Sequence, residues 1–303
     1  MGSTQRTLPP GIGAAKTASR TRILLGLFKL RIAFFIMITA LAGYAVTPGP
    51  SLGALQFAVL AFSVLISSAS AGAFNQYIEC DIDRLMLRTR NRAFPSGALP
   101  HTPAWLVLIG LLLAGSVAAA WYALNPLVAL FVFLGAFFYA VVYTIWLKRR
   151  SWLNIVIGGL AGSFAVLAGV AAASTSPGMQ PLLLALVLFL WTPPHFWSLA
   201  IANHADYTAA KIPMLPVVVG DARAAQVVFA STLALVGASL LPGFFGAGPV
   251  YLLGALIGGG YFIFRAWQLA RRPSQETAMA SFFASFLQLS LLLAAATLDA
   301  LIS

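Results

Sequence analysis

Asn75, Glu79 and Asp83 recur at every fourth position in the stretch Asn75-Gln76-Tyr77-Ile78-Glu79-Cys80-Asp81-Ile82-Asp83-Arg84, which runs on through Arg88, Arg90 and Arg92. A helix continued as far as Asp83 stacks the three side chains on one face. Glu79, Asp81 and Asp83 are three of the chain's seven carboxylates, and four arginines follow at once. Magnesium commonly takes one or two carboxylates and leaves its remaining positions to water and substrate phosphates. Guanidinium groups grip phosphate oxygens in a bidentate fork. Acid and base together at the end of an apolar run thus suggest a lipid diphosphate held through Mg²⁺. The competing reading is a solvated loop whose acids and bases neutralise each other.

The elements that must position these residues span a membrane. The 303 residues are 60% hydrophobic and 8% charged, which excludes an ordinary soluble domain. With about 20 apolar residues needed per crossing, nine spans are predicted, near 23–47, 53–76, 103–123, 126–147, 152–173, 180–203, 224–246, 249–270 and 278–301. Short connections favour one helical bundle. Residues 1–22 read as a polar N-terminal tail with no cleavable signal, and 23–303 as a single intramembrane domain. Cys80 is the sole cysteine, so no internal disulfide forms.

A net charge of +11 in a soluble chain would suggest nucleic acid. Here all 18 lysines and arginines fall on one side of the predicted topology, and the connections near 48–51, 124–125, 174–179 and 247–248 carry none. That asymmetry orients a membrane protein with its N-terminus inside, so the partner is the lipid bilayer and not nucleic acid. The acids follow the same side except Asp299, which falls outside with the C-terminus.

Charged residues inside a span face a cavity or snorkel out. Lys29 is expected to snorkel, and Arg31, two residues deeper, is a candidate phosphate contact. Asn125-Pro126 reads as a helix cap with proline at the first turn. Tyr139 and Tyr143 share a face above Lys148-Arg149-Arg150. They read either as an interfacial aromatic belt or as a cavity wall whose π-faces steady a cation. Thr192-Pro193-Pro194-His195-Phe196-Trp197 predicts a broken helix lining an enclosed cavity. His195 reads either as a satisfied structural group or as a ligand. If helicity resumes, it shares an angular position with Asp206, 11 residues on.

These residues resemble the UbiA-type intramembrane prenyltransferases and, more narrowly, their protoheme IX farnesyltransferase branch. The resemblance rests on Asn75-x3-Glu79-x3-Asp83 with Arg88-Thr89-x-Asn91-Arg92; on Tyr143-Thr144-x-Trp146-Leu147-Lys148-Arg149-Arg150 with Asn154 and Gly158-Gly159; on Thr192 to Ile201; and on Asp206-Tyr207 with Ile212-Pro213-Met214-Leu215-Pro216. Glu79 stands where the family usually has aspartate. Lys29-Leu30-Arg31 replaces a Lys-Pro-Arg pattern, and Ala202-Asn203-His204-Ala205 lacks the extra acid common before the last Asp-Tyr. The resemblance implies an all-α, nine-helix bundle that transfers a farnesyl group from farnesyl diphosphate to a vinyl group of haem b. Its products are haem O and pyrophosphate. It implies Mg²⁺ on Glu79, Asp83 and Asp206 with Asn75 assisting, and diphosphate contacts from Arg31, Arg84, Arg88, Lys148, Arg149 and Lys211. Tyr139 and Tyr143 would shield the allylic cation, and His195 and Trp197 would meet the haem. The setting implied is the inner membrane of a bacterial-type cell with the active-site loops cytoplasmic, and a haem-modifying or oxidase-assembly protein as a downstream partner. The rival readings are a prenyltransferase acting on a quinone precursor, a transporter, and a non-catalytic haem-binding assembly factor.

Overall fold

The structure, a computed structural model, describes residues 19–302, so most of the expected N-terminal tail lies outside it. The longer helices among the described residues are α1 (Arg20–Leu27), α2 (Leu30–Ala45), α3 (Ala54–Ile78), α4 (Cys80–Leu85), α5 (Ala104–Ala123) and α6 (Pro126–Phe137), the last continued by a π-helix, Phe138–Leu147. They go on through α7 (Asn154–Gly158), α8 (Leu160–Ala173), α9 (Met179–Ala202), α10 (His204–Ala209), α11 (Leu215–Val219), α12 (Asp221–Leu240), α13 (Pro249–Arg271) and α14 (Gln275–Ile302). Eight segments are long and apolar enough to cross a membrane, and α1 with α2, bent by 46° at their junction, makes a ninth. The predicted nine spans and their order are therefore present.

Each span packs on the next along the chain, and α14 returns to α2, which closes the nine into a ring. Close approach depends on absent side chains. A Cβ on Gly169 of α8 would collide with the backbone carbonyl of Ala40 in α2, and one on Gly43 would collide with that of Val166. Backbone cannot yield as a side-chain tip can, so Gly169→Val is expected to destabilise the bundle by about 1–3 kcal/mol. Thermal unfolding in detergent measures this.

Local chemistry sets several boundaries. The Asn125 side chain accepts from the Val128 amide at 2.9 Å and Pro126 occupies the first turn, as the sequence predicts. Asp299 is buried near the start of α13, where it accepts from the amides of Gly248 and Tyr251.

One expectation is corrected here. Pro193 and Pro194 do not break their helix: α9 is continuous to Ala202. Neighbouring helices and hydroxyl groups can replace what prolines remove, and here α9 is held by α8, α12 and α14. The break falls in the first span instead, where Lys29 takes a left-handed conformation, φ 47°. Neither glycine nor proline marks it. The carbonyls freed at the end of α1 are claimed from outside: the Gln76 carboxamide of α3 donates to Gly26 at 2.7 Å and to Leu27 at 3.0 Å. A non-glycine residue in this region costs about 1–2 kcal/mol, and such strain clusters at functional sites.

Candidate active site

The acidic stretch departs from one ideal helix without losing its stack. α3 ends at Ile78 and α4 starts at Cys80, but the Glu79 amide still donates to the Asn75 carbonyl at 3.0 Å and the Asp83 amide to the Glu79 carbonyl at 2.8 Å. Asn75, Glu79 and Asp83 thus remain superposed, and all three are buried.

Each anion faces a base. Lys148 Nζ lies 2.5 Å from Glu79 Oε2, and Arg92 Nη1 lies 2.9 and 2.8 Å from the two Asp83 oxygens. At the rim, Arg149 grips Asp81 with two bonds of 2.9 Å. Burial by itself would raise the Asp81 carboxyl, but Arg149 and the local backbone amides outweigh it and hold that carboxyl below the usual range. Lys29 does not snorkel. The break between α1 and α2 turns it inward, where Nζ donates to Asn75 Oδ1 at 2.6 Å and to the Tyr139 hydroxyl at 3.1 Å. It lies within electrostatic reach of Glu79, Asp83, Lys148 and Arg92.

Tyr139 and Tyr143, both on the π-helix, stack with centroids 5.5 Å apart and ring planes at 22°. Lys29 Nζ sits 5.6 Å from the centre of Tyr139 and Lys148 Nζ 5.5 Å from that of Tyr143. Lys29 meets Tyr139 at its hydroxyl edge, while Lys148 lies nearer the ring of Tyr143, so both tyrosines adjoin buried ammonium groups inside the protein. π-Helical register within a span is uncommon and recurs at functional sites.

The structure does not assemble every expected residue. Among the described residues no three His, Cys, Asp or Glu side chains converge as a metal-binding set, so Asp206 does not join Glu79 and Asp83. Its carboxylate accepts from the backbone amides of Leu87 and Arg88, each at 3.1 Å. Asp206 thus ties α10 to the loop that follows α4 through that loop's backbone. Nor does Asp206 share a helix with His195, because the chain leaves helical register at Asn203 before α10. His195 faces α14: Nδ1 is 2.6 Å from Ser285 Oγ, with Trp191 and Phe282 stacked on the ring and Phe286 against its edge. Trp197 is buried in the core, 6.5 Å from Trp152. Arg31 is exposed and away from the cluster, because the inward turn is taken by Lys29. Arg84, Arg88 and Lys211 are exposed, and Lys211 has a left-handed backbone, φ 52°.

Sequence reasoning missed Lys29 and Thr144, and it read Arg92 with its neighbours as a phosphate partner without pairing it to Asp83. The signal for Lys29 was available: an ionisable residue in a span is a functional candidate by default. A surface cleft of about 490 Å³ is lined by Leu113, Trp121, Tyr122 and Phe133 of α5 and α6, is apolar, and holds none of this chemistry.

The fit to Mg²⁺ turns on one atom. Glu79 Oε1 is buried with no hydrogen-bond partner, an anionic oxygen left open in a site lined by bases. With Asp83 one turn away, the donor set suits an oxygen-preferring cation that completes its shell from a phosphorylated ligand.

One bundle of membrane helices thus encloses a buried acid–base cluster where α1, α3 and the π-helix end. Residues 36–291 match the UbiA prenyltransferase family, and the chain belongs to it. It is 52% identical to protoheme IX farnesyltransferase 2 of Paramagnetospirillum magneticum over 93% of this chain and 98% of that protein. It is 45% identical to protoheme IX farnesyltransferase 1 of the same organism, over 90% and 96% respectively. Among solved structures, digeranylgeranylglyceryl phosphate synthase superposes with a TM-score of 0.76 at 19% identity, covering 94% of this chain and all of the other. A UbiA homologue from Archaeoglobus fulgidus bound to DMAPP and Mg²⁺ gives 0.71 at 14% identity, covering 89% and 98%. The likeness to these two structures concerns the fold.

Proposed function

We propose that the chain transfers the farnesyl group of farnesyl diphosphate to a vinyl group of haem b, giving haem O and pyrophosphate. The extent and level of identity to protoheme IX farnesyltransferases support the choice of substrates. The observation that carries the chemistry is the buried cluster of Lys29, Asn75, Glu79, Asp83, Arg92 and Lys148, in which every base is within reach of an acceptor it can exchange for phosphate.

Glu79 and Asp83 would hold Mg²⁺, which when bound neutralises charge on the departing pyrophosphate. Lys29, Lys148 and Arg92 are the inner contacts for the diphosphate, with Arg84, Arg88, Arg149 and Lys211 at the exposed rim. Such pre-set donors stabilise charge as it develops, at little cost in rearrangement. Asp206 fixes the loop that carries Arg88. Tyr139 and Tyr143 present aromatic faces to an allylic cation and help keep water from it. By the distribution of lysine and arginine the cluster lies on the cytoplasmic side of a cell membrane with the C-terminus outside. Haem O, being hydrophobic, then passes to a haem-modifying or oxidase-assembly protein.

His195 is the proposed haem contact. Ser285 Oγ donates to the Phe282 carbonyl at 2.6 Å, so it accepts the proton of His195 Nδ1. That tautomer leaves a lone pair on Nε2, the form suited to iron. His195→Ala is expected to weaken haem binding by about tenfold, the worth of ~1.4 kcal/mol, with farnesyl diphosphate affinity unchanged. Haem titration checks it, and unaltered haem affinity would remove His195 from the site.

The functional test is product analysis. Purified protein receives Mg²⁺ and labelled farnesyl diphosphate with either haem b or 4-hydroxybenzoate. Labelled haem O with stoichiometric pyrophosphate is expected in the first arm alone. Label on the benzoate would mark a quinone-pathway enzyme, and haem binding without pyrophosphate would mark an assembly factor.

A further inference from the structure

Thr144 is buried in the π-helix, between the diphosphate cluster and the tyrosine pair. Its Oγ1 donates to the Tyr139 carbonyl at 2.8 Å and accepts from Asn75 Nδ2 at 3.1 Å. In an α-helix a threonine hydroxyl returns to the carbonyl three or four residues back. Here it reaches five back, following the π-register.

A hydroxyl has one proton to give. With that proton on the Tyr139 carbonyl, Thr144 can offer Asn75 only a lone pair. The carboxamide must then turn its NH₂ end to Thr144 and its Oδ1 away, toward Lys29, whose ammonium lies 2.6 Å off. Flipped by half a turn, the amide would set NH₂ against ammonium and oxygen against oxygen. Lys29 and Thr144 select the same setting from the two ends of the carboxamide, the lysine as a donor and the threonine, buried on a different span, as an acceptor.

We propose that Thr144 is a positioning residue for the transfer reaction: through Asn75 it fixes the acceptor oxygen that holds Lys29 over the diphosphate site. This rests on the reading that Lys29 and Asn75 serve the diphosphate. The hydroxyl touches neither substrate nor metal. It acts by removing the alternative amide setting, so that Lys29 meets the ligand already aimed.

The test is a double-mutant cycle on the full-length protein in detergent or nanodiscs, with kcat and KM measured for both substrates and a melting midpoint for each variant. Thr144→Ser keeps the hydroxyl and is expected to stay within about twofold of the parent. Thr144→Val keeps the shape and loses the bond, and kcat/KM for farnesyl diphosphate is expected to fall about tenfold, one hydrogen bond's worth, with KM for haem unmoved. On an Asn75→Ala background the valine change is expected to add nothing, because the residue it acts through is gone. Full activity in Thr144→Val would overturn the proposal, as would losses that multiply in the double variant. A serine variant as impaired as valine, with a lowered melting point, would mark packing and overturn it equally. A parent protein that makes no product with any acceptor would overturn the functional reading, an outcome separate from these.

Discussion

Asp83→Asn is expected to lower the rate of farnesyl transfer by about 100- to 1,000-fold, the usual loss when a preorganised charge is removed from a reacting site. Asp83 is wholly buried, its amide is tied to the Glu79 carbonyl, and its own carbonyl accepts from Thr89 Oγ1. The side chain therefore has little freedom, and asparagine would occupy the same space. What changes is charge. A neutral amide no longer suits Mg²⁺, and Arg92 loses the carboxylate that holds it 2.8 Å away. The effect belongs in kcat and in KM for farnesyl diphosphate, while haem affinity stays as it was. Steady-state kinetics with both substrates varied separates the two.

Lys148→Met should have the largest effect on stability. Glu79 and Lys148 form a buried pair, with side chains 1% and 9% exposed. Removing one member of such a pair leaves an uncompensated charge and typically costs about 3–5 kcal/mol. Methionine fills similar volume, so the loss isolates the stranded carboxylate. The double variant Glu79→Gln with Lys148→Met is expected to recover most of that stability, since neither charge remains, and to stay inactive. Equilibrium unfolding of the three variants beside their turnover makes the comparison. A double variant as unstable as the single one would show that packing, not charge, holds this part of the bundle.

Particular residues show what the sequence could and could not reveal. The stack of Asn75, Glu79 and Asp83 was legible because four-residue spacing needs only helical backbone hydrogen bonds, and these carry through the turn at Glu79. The nine spans were legible because hydropathy and the one-sided placement of lysine and arginine are properties of single segments. Lys29 was not. Its inward turn depends on Gln76, nearly fifty residues away, capping the end of α1, and nothing local announces the break. The Pro193-Pro194 pair misled for the opposite reason: its local signal is strong, and tertiary packing overrides it. The expected meeting of His195 and Asp206 assumed that helical phase continues past Ala202, whereas the turn at Asn203 resets it. The π-register of Phe138–Leu147 leaves no mark in composition, though it sets where Tyr139, Thr144 and Lys148 point.

The central claim is that the buried carboxylates of Glu79, at the junction of α3 and α4, and of Asp83 on α4 bind the diphosphate through a metal while nearby lysines and arginine exchange their carboxylate partners for phosphate. Retention of a non-hydrolysable farnesyl thiolodiphosphate, followed against Mg²⁺ concentration in the parent protein and in Glu79→Gln with Asp83→Asn, tests it most directly. Retention that rises with Mg²⁺ in the parent and is lost in the double variant is the predicted result. Equal retention in both, or retention indifferent to the metal, would contradict it.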